Sequence, residues 1–175
     1  TLKANYKLND KNRLYLSFYG GNDQYNQRFS HKSEFEKTST NYEIAWGNII
    51  SSLRWNYLIN KEIFSNVTIY YSGFNYNNRN DYKKTDIATS DLLKKDLAIY
   101  FSGVKDISAK WDVDIYSLAN HKIKTGIALI NHVFSPGINT YTVKDEDKTT
   151  TDLTNGAKFH NQEAAAYIED DYNFR

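Results

Sequence analysis

The chain has 175 residues, with 22 Lys and Arg against 21 Asp and Glu. The resulting formal net charge of +1 gives no overall attraction to nucleic acid. Aromatic residues make up 15% of the sequence, which disfavours disorder, and the absence of cysteine excludes disulfides, cysteine-based zinc sites and thiol catalysis. We expect one folded domain that binds no nucleic acid.

Apolar and polar residues alternate with a period of two along most of the chain, and no helical period is convincing. The clearest case is 107–115, where the odd positions are apolar and the even positions are polar or charged. This pattern predicts an all-β protein. The expected strands, about seven in number, are near 2–8, 13–20, 42–59, 65–76, 97–117, 122–134 and 163–174.

Short and long connections between these strands alternate strictly. The short ones are 9–12, 60–65 and 118–121, and the long ones, which we expect to be irregular loops, are 21–41, 75–95 and 135–162. All short turns should therefore lie at one end of an antiparallel, up-and-down sheet. Bacterial outer-membrane barrels have this asymmetry, with short periplasmic turns and long extracellular loops. The pattern favours transmembrane strands that form an incomplete portion of a larger barrel.

Such strands would carry one lipid face and one lumen face. The expected lipid face consists of Leu53, Trp55, Tyr57, Val67, Ile69, Trp111, Val113, Ile115, Ile127 and Leu129. The expected lumen face consists of Arg54, Asn56, Thr68, Lys110, Asp112, Asp114 and Lys124.

Four stretches of the sequence, in order, carry a family resemblance: 46–56, 64–72, 121–137 and 163–172. They resemble the middle of the barrel of TonB-dependent outer-membrane receptors, particularly those of Bacteroidetes. The resemblance implies that 1–175 is part of a single transmembrane barrel domain in the outer membrane of a Gram-negative bacterium, with the plug domain absent from this chain. It also implies energy-coupled uptake of a nutrient such as a siderophore, cobalamin or an oligosaccharide.

The same resemblance implies a set of partners. These are the remainder of the parent barrel and its plug, TonB through the parent chain, outer-membrane lipid and, by analogy alone, a surface lipoprotein lid.

The short turns are centred near 10, 62 and 120, so we expect the next one close to Arg175.

Two groups of residues are candidates for ligand binding. The first is a lumen group of mixed charge: Arg54, Asn56, Asp112 and Asp114. The second is a loop group that combines aromatic rings with charge: Arg28, Tyr76, Arg79 and Tyr82. The alternative is that the lumen group contacts only the plug or water, and that the loop aromatics only pack against neighbouring loops and strand ends.

The sequence contains no serine nucleophile elbow, phosphate-binding glycine loop or zincin helix. Its four histidines share no short metal-ligand spacing. We therefore predict no catalytic residue, metal site or cofactor.

A second function class stays open beside the transport wall. A soluble or surface-exposed β-sandwich binding module would also have period-two strands, with Trp55 and Trp111 in a buried core and the long loops as a recognition surface.

Overall fold

The structure, a computed structural model, describes residues 1–118, 120–145 and 148–174. They form one sheet in which strands consecutive in sequence pair with one another, except that the last strand pairs with the third from last. The strands are β1 (Leu2–Asn9), β2 (Asn12–Lys32), β3 (Glu36–Leu58), β4 (Ile63–Asp86), β5 (Leu92–Leu118), β6 (His121–Asp145), β7 (Lys148–Asn155) and β8 (Phe159–Tyr172). Every pairing among them is antiparallel, which confirms the predicted up-and-down topology. In the described part of the chain, no helix has the length and apolarity needed to span a membrane.

The last two strands lie end to end beside β6. β7 pairs with the segment from Ile138 to Asp145, and β8 pairs with the segment from His121 to Phe134. The eight strands therefore occupy seven lateral positions, the number that the sequence predicts. The expected turn at Arg175 lies outside the described residues.

The prediction of long irregular loops was wrong. β2 and β3 pair without interruption up to Lys32 and Lys37, and β4 pairs with β5 beyond Lys83. The first two segments expected to be loops are thus extensions of the strands, closed by short connections at 33–35 and 87–91; in the third, 135–162, the described residues belong to β6, β7 and β8 except for 156–158. The physical reason is that these polar segments hydrogen-bond to neighbouring strands, to β3 alone in 21–32 and to both β3 and β5 in 75–85, and such pairing overrides the low intrinsic strand propensity of Asn and Asp.

A β-bulge interrupts β6 at Pro136 and Gly137. Three steps on β6, from Ser135 to Ile138, lie opposite two steps on β5, from Phe101 to Gly103. Gly137 has a φ of 147°, which glycine adopts far more readily than any other residue. The bulge lies beside the break between β7 and β8, where the Gly156 amide donates to the Gly137 carbonyl over 3.1 Å.

The register places the two predicted residue sets on opposite faces. Trp55, Val67, Trp111 and Ile127 form one row of directly opposed residues, and Asn56, Asn66, Asp112 and Gly126 form the next. Directly opposed residues share a face, so each predicted set shares one face, as expected. We call these the Trp111 face and the Asp112 face.

The sheet has no partner layer among the described residues, and none of their hydrophobic side chains is buried. Trp55 and Trp111 are 41% and 49% exposed, contrary to the buried core of the sandwich alternative. The accessible surface is 12607 Å², whereas a folded monomer of this mass exposes about 8,800 Å². The excess is the surface that a single-layer sheet leaves exposed on both of its faces.

The connection between β4 and β5 depends on Asp86. Its Oδ1 accepts hydrogen bonds from the backbone amides of Ala88 and Thr89 over 2.8 and 2.9 Å. The Thr89 amide, followed by the Ala88 amide and the Thr89 hydroxyl, lowers the pKa of Asp86 below its ordinary value of 3.8.

We expect the turn at 87–91 to be held by ionised Asp86. Because the folded state lowers this pKa, the stabilisation is complete above pH 3.8 and is lost as the pH falls through the lowered value. Asp86→Ala should therefore lower the hydrogen-exchange protection factors of the amides in this turn at pH 7, and strong acid should lower them in the unmodified protein, each measured against the intrinsic exchange rate at the same pH. Asp91→Ala, in the same turn, is the control and should have little effect; equal effects of the two variants would contradict this account.

Candidate ligand-binding surface

The polarity of the two faces inverts along the strands. The lower half of the sheet is the part beside the short turns, and it ends at the row of Tyr71 and Ile107. The upper half is the rest of the sheet, and it begins at the row of Gly73 and Lys105. In the lower half, the Trp111 face is apolar and the Asp112 face is polar. In the upper half, all the strand aromatic residues except Phe101 lie on the Asp112 face, where they form what we call the aromatic wall: Tyr25, Phe29, Tyr42, Trp46, Phe74, Tyr76, Tyr82, Tyr100, Phe134 and Tyr141.

The inversion is visible on β3. Leu53 and Trp55 lie on the Trp111 face, whereas Tyr42 and Trp46 lie on the Asp112 face. Alternate residues of a strand share a face, so an alternating apolar pattern changes face where two consecutive residues are apolar. On β3 these two residues are Ile49 and Ile50.

Rings of the aromatic wall contact one another across strands. Tyr76 and Tyr100 meet edge to face with centroids 6.1 Å apart, and so do Phe29 and Tyr42. The Tyr100 hydroxyl donates to the Pro136 carbonyl over 2.9 Å, which fixes this ring against the bulge of β6. The wall is thus partly preorganised while its rings remain accessible.

A cavity of about 210 Å³ opens on this wall between β4, β5 and β6. Besides Ala98, the side chains of the Asp112 face around it are two tyrosines and three asparagines: Tyr100, Tyr141, Asn78, Asn80 and Asn139. Asn80 Oδ1 is shielded from solvent and has no hydrogen-bond partner among the described residues. Flat rings beside amide donors and acceptors can stack on a ligand and hydrogen-bond its hydroxyl groups.

Charge on the upper half also separates by face. On the Asp112 face, acidic residues outnumber basic ones: Asp23, Glu36, Asp86, Asp96, Asp145 and Asp152 against Lys84, Lys94 and Lys148. Two of the lysines are neutralised locally, Lys84 by Glu36 over 2.8 Å and Lys94 by Asp96 over 3.4 Å. The surface beside the aromatic wall is therefore net acidic, which disfavours an anionic ligand.

The predicted lumen group lies on the Asp112 face of the lower half. The Arg54 Nε donates to the Thr68 hydroxyl over 3.3 Å, and the Asn56 amide donates to Asn66. Asp114 lies beside the same polar residues in a groove of about 390 Å³ near the short turns. These side chains interact mainly across neighbouring strands, and their contact with a ligand stays a prediction.

Asp112 takes part in a contact that spans three strands. Its Oδ1 accepts a hydrogen bond from the Tyr167 hydroxyl over 2.6 Å and an ion pair from Lys110 over 3.1 Å. Tyr167 is on β8 and Asp112 on β5, so the ring passes over Gly126 on the intervening β6. A Cβ at Gly126 would be 2.7 Å from the Tyr167 ring, so only glycine leaves room for this crossing.

The predicted loop group is divided between the two faces. Tyr76 and Tyr82 lie on the aromatic wall, on strand β4 rather than in a loop. Arg28 and Arg79 lie on the Trp111 face, where Arg79 pairs with Asp81 over 3.4 Å. The structure therefore does not bring these arginines together with the tyrosines.

Sequence reasoning missed the residues around the cavity, including Tyr100, Asn139 and Tyr141. The sequence of β3 contained a signal for the change of face: Tyr42, Ile44 and Trp46 alternate one position out of phase with Leu53 and Trp55. The bulge concealed the corresponding signal on β6, because it shifts the phase of Asn139 and Tyr141 relative to Ile127 and Leu129. In the described ranges, no group of three or more His, Asp or Glu is placed to hold a metal ion.

No family model matches the sequence. No curated protein matches it either. Among solved structures, the chain is similar to the ferric yersiniabactin uptake receptor FyuA from Yersinia pestis, with a TM-score of 0.58 and 13% sequence identity. The likeness covers 95% of this chain and 24% of the receptor, so the chain spans about a quarter of that protein's length. At this identity the likeness concerns the fold alone: an all-β, antiparallel, up-and-down sheet similar to part of an uptake receptor.

Proposed function

We propose that this chain is a wall segment of a TonB-dependent receptor that takes up a nutrient across the bacterial outer membrane by energy coupling. The observation that carries the proposal is the inversion of polarity between the two halves of the sheet. A barrel wall needs an apolar outer face where lipid surrounds it, and loses that need where the wall projects into water.

The height of the apolar band supports this placement. It covers 107–115 on β5, which at about 3.3 Å per residue and a tilt of about 40° gives a height of about 20 Å. Outer-membrane barrels have apolar bands of about 25 Å. The indole N–H groups of Trp55 and Trp111 donate to Asn12 and Ser65 over 2.9 Å, so neither is left unpaired toward hydrocarbon.

The open edges of the sheet support a larger barrel. In the described sheet, β1 pairs only with β2, and β8 pairs only with β6. Unpaired backbone groups are costly in hydrocarbon, so further strands of a parent barrel would cover both edges. A plug inside that barrel, TonB acting through the parent chain and surrounding outer-membrane lipid complete the proposed assembly. The Bacteroidetes type and a lipoprotein lid rest on the sequence resemblance alone.

The ligand class we propose is a neutral, hydroxyl-rich molecule such as an oligosaccharide. Sugar rings stack on aromatic side chains, and the asparagines around the 210 Å³ cavity would bind hydroxyl groups. The net acidic charge of this face opposes an anionic ferric chelate, and Arg28 and Arg79 face away from it. Siderophores and cobalamin are the competing classes.

We expect Tyr141→Ala to weaken oligosaccharide binding by the complete receptor, with no loss of barrel assembly. Loss of one stacking ring is worth about 0.5–1.5 kcal/mol, or about two- to twelvefold in affinity. Isothermal titration with neutral oligosaccharides, anionic ferric siderophores and cobalamin measures the effect. Phe101→Ala is the matched control, because Phe101 is a similarly exposed ring on the Trp111 face.

The outcomes separate the two levels of this proposal. Binding of ferric siderophores alone, unaffected by Tyr141→Ala, would contradict the oligosaccharide class and leave the transport wall standing. A protein that fractionates away from the outer membrane would contradict the transport wall itself.

A further inference from the structure

Three tyrosines of the aromatic wall lie on one diagonal across β4, β5 and β6. Tyr100 on β5 lies opposite Asn78 of β4 and Asn139 of β6. Tyr76 lies two residues below Asn78 on β4, and Tyr141 lies two residues above Asn139 on β6. Each step of the diagonal therefore crosses one strand and moves two residues along the sheet. We call Tyr76, Tyr100 and Tyr141 the tyrosine ladder.

Short side chains flank both steps of the tyrosine ladder. The residues beside the upper step are Ala98 and Asn139, and those beside the lower step are Asn78 and Ser102. All four side chains are smaller than a tyrosine ring, so no bulkier group of the sheet separates consecutive rings. Tyr141 is exposed and the other two rings are half-buried, so a ligand can contact all three.

The tyrosine ladder extends beyond the cavity of about 210 Å³. Tyr100 and Tyr141 line that cavity, and Tyr76 lies one step beyond it. With strands about 4.8 Å apart and about 3.3 Å per residue, each step covers about 8 Å, so the three tyrosines span about 16 Å. A disaccharide is shorter than this span and a hexasaccharide is longer. A short ligand therefore fits within the cavity, whereas only a chain of several sugars also reaches Tyr76.

Two shielded oxygen atoms near the upper step lack a hydrogen-bond donor. Asn80 Oδ1 and Asp96 Oδ1 are inaccessible to solvent and have no hydrogen-bond partner in the described ranges. Asn80 lies in the register row of Tyr141, and Asp96 lies in the next row above. A shielded acceptor without a partner is costly, and a hydroxyl group of a ligand is a donor that would satisfy it.

We propose that the tyrosine ladder is a binding track for a linear oligosaccharide of several sugar units, and that Tyr76 determines the preference for longer chains. Sugar rings stack on the three tyrosines, and sugar hydroxyls donate to Asn80 and Asp96. The inference rests on the proposed function, because it assumes an oligosaccharide ligand at the aromatic wall of the parent receptor. It goes beyond that function by giving the ligand a minimum length and by placing its far end at Tyr76.

The test compares ligand length with position on the ladder, in the complete receptor. Isothermal titration uses a panel of neutral linear glycans, namely α-glucan, β-glucan, mannan and fructan, each as the disaccharide and the hexasaccharide. For the glycan that binds, the hexasaccharide should bind about two- to twelvefold more tightly than the disaccharide, because it stacks on one more ring. Tyr76→Ala should abolish this length preference, whereas Tyr141→Ala should weaken both ligands and keep the preference.

Two controls make the result specific to the ring of Tyr76. Tyr76→Phe keeps the ring and removes only the hydroxyl, so it should retain the length preference. Phe101→Ala removes a ring on the Trp111 face, next to Tyr100 in sequence, and should change the affinity for neither ligand. Loss of the preference in Phe101→Ala would show that the variants act through a general disturbance of the sheet, and would overturn the proposal.

Two further outcomes would also overturn it. One is equal affinity of the unmodified receptor for the disaccharide and the hexasaccharide, which leaves an oligosaccharide-binding wall in place. The other is an equal loss of affinity for both lengths in Tyr76→Ala. Failure of every glycan of the panel to bind to a correctly inserted receptor contradicts the ligand class of the proposed function first, and this inference with it.

Discussion

Leu129→Arg is expected to destabilise the membrane-inserted barrel by about 2–4 kcal/mol, the cost of a cation on the lipid side near the bilayer midplane. Leu129 is 57% exposed on the Trp111 face, near the middle of the apolar band, and has no acidic neighbour in its register row of Leu53, Ile69, Ala109 and Ala164. The free energy of unfolding, from urea titration of the complete barrel in lipid vesicles, measures the effect.

Ile130→Arg is the matched control for this prediction. Ile130 is the next residue on the same strand, also aliphatic, and lies on the Asp112 face in register with Glu163. Water and this carboxylate would accommodate the guanidinium, so the cost should stay below about 1 kcal/mol. A larger cost for Ile130→Arg than for Leu129→Arg would mean that the two faces have been assigned the wrong way round.

Gly126→Val should destabilise the sheet by about 1–3 kcal/mol through overpacking. A Cβ at this position would be 2.6 Å from Asp112 Oδ1, 2.7 Å from the Tyr167 ring and 2.8 Å from the Trp111 carbonyl oxygen. The first two contacts can relax by side-chain movement, but the third is with the backbone of the paired strand. The same urea titration measures the loss.

Two further variants identify the cause. Ala128→Val places the same side chain two residues away on the same face, adds two carbon atoms instead of three, and should cost less. Tyr167→Ala combined with Gly126→Val should recover part of the loss, because one of the colliding groups is removed. Strict additivity of the two changes would contradict the crossing of Tyr167 over Gly126.

The lower half of the fold could be predicted from the sequence for a physical reason. Where lipid covers one face, every second residue must be apolar, so residues such as Trp111 and Asp112 reveal their faces by type alone. The three short turns follow from Asn and Asp at the strand ends. Register and faces in this half were therefore predictable without coordinates.

The upper half was harder to predict because its strands project beyond the apolar band. The segment from Asn75 to Asp86 consists mostly of Asn, Asp, Lys, Tyr and Thr, a composition typical of a loop, although it pairs with β3 throughout and with β5 up to Thr85. The extended conformation of this segment is stabilised by paired strands that are distant from it in sequence. Arg79 lies on the opposite face from Tyr76 and Tyr82 because successive residues of a strand alternate between faces. A segment predicted to be a loop carries no such alternation, so the sequence analysis placed the three side chains together.

Spin labels placed singly at 127, 128, 129 and 130 in the complete barrel, reconstituted in lipid, test the central claim most directly. The chain has no cysteine, so each label site can be introduced without removing a native thiol from this segment. The account predicts an alternation: labels at 127 and 129 are relaxed by oxygen dissolved in lipid, and labels at 128 and 130 are relaxed by a water-soluble nickel chelate. Relaxation of all four labels by the nickel chelate, with no alternation, would contradict a membrane-spanning wall.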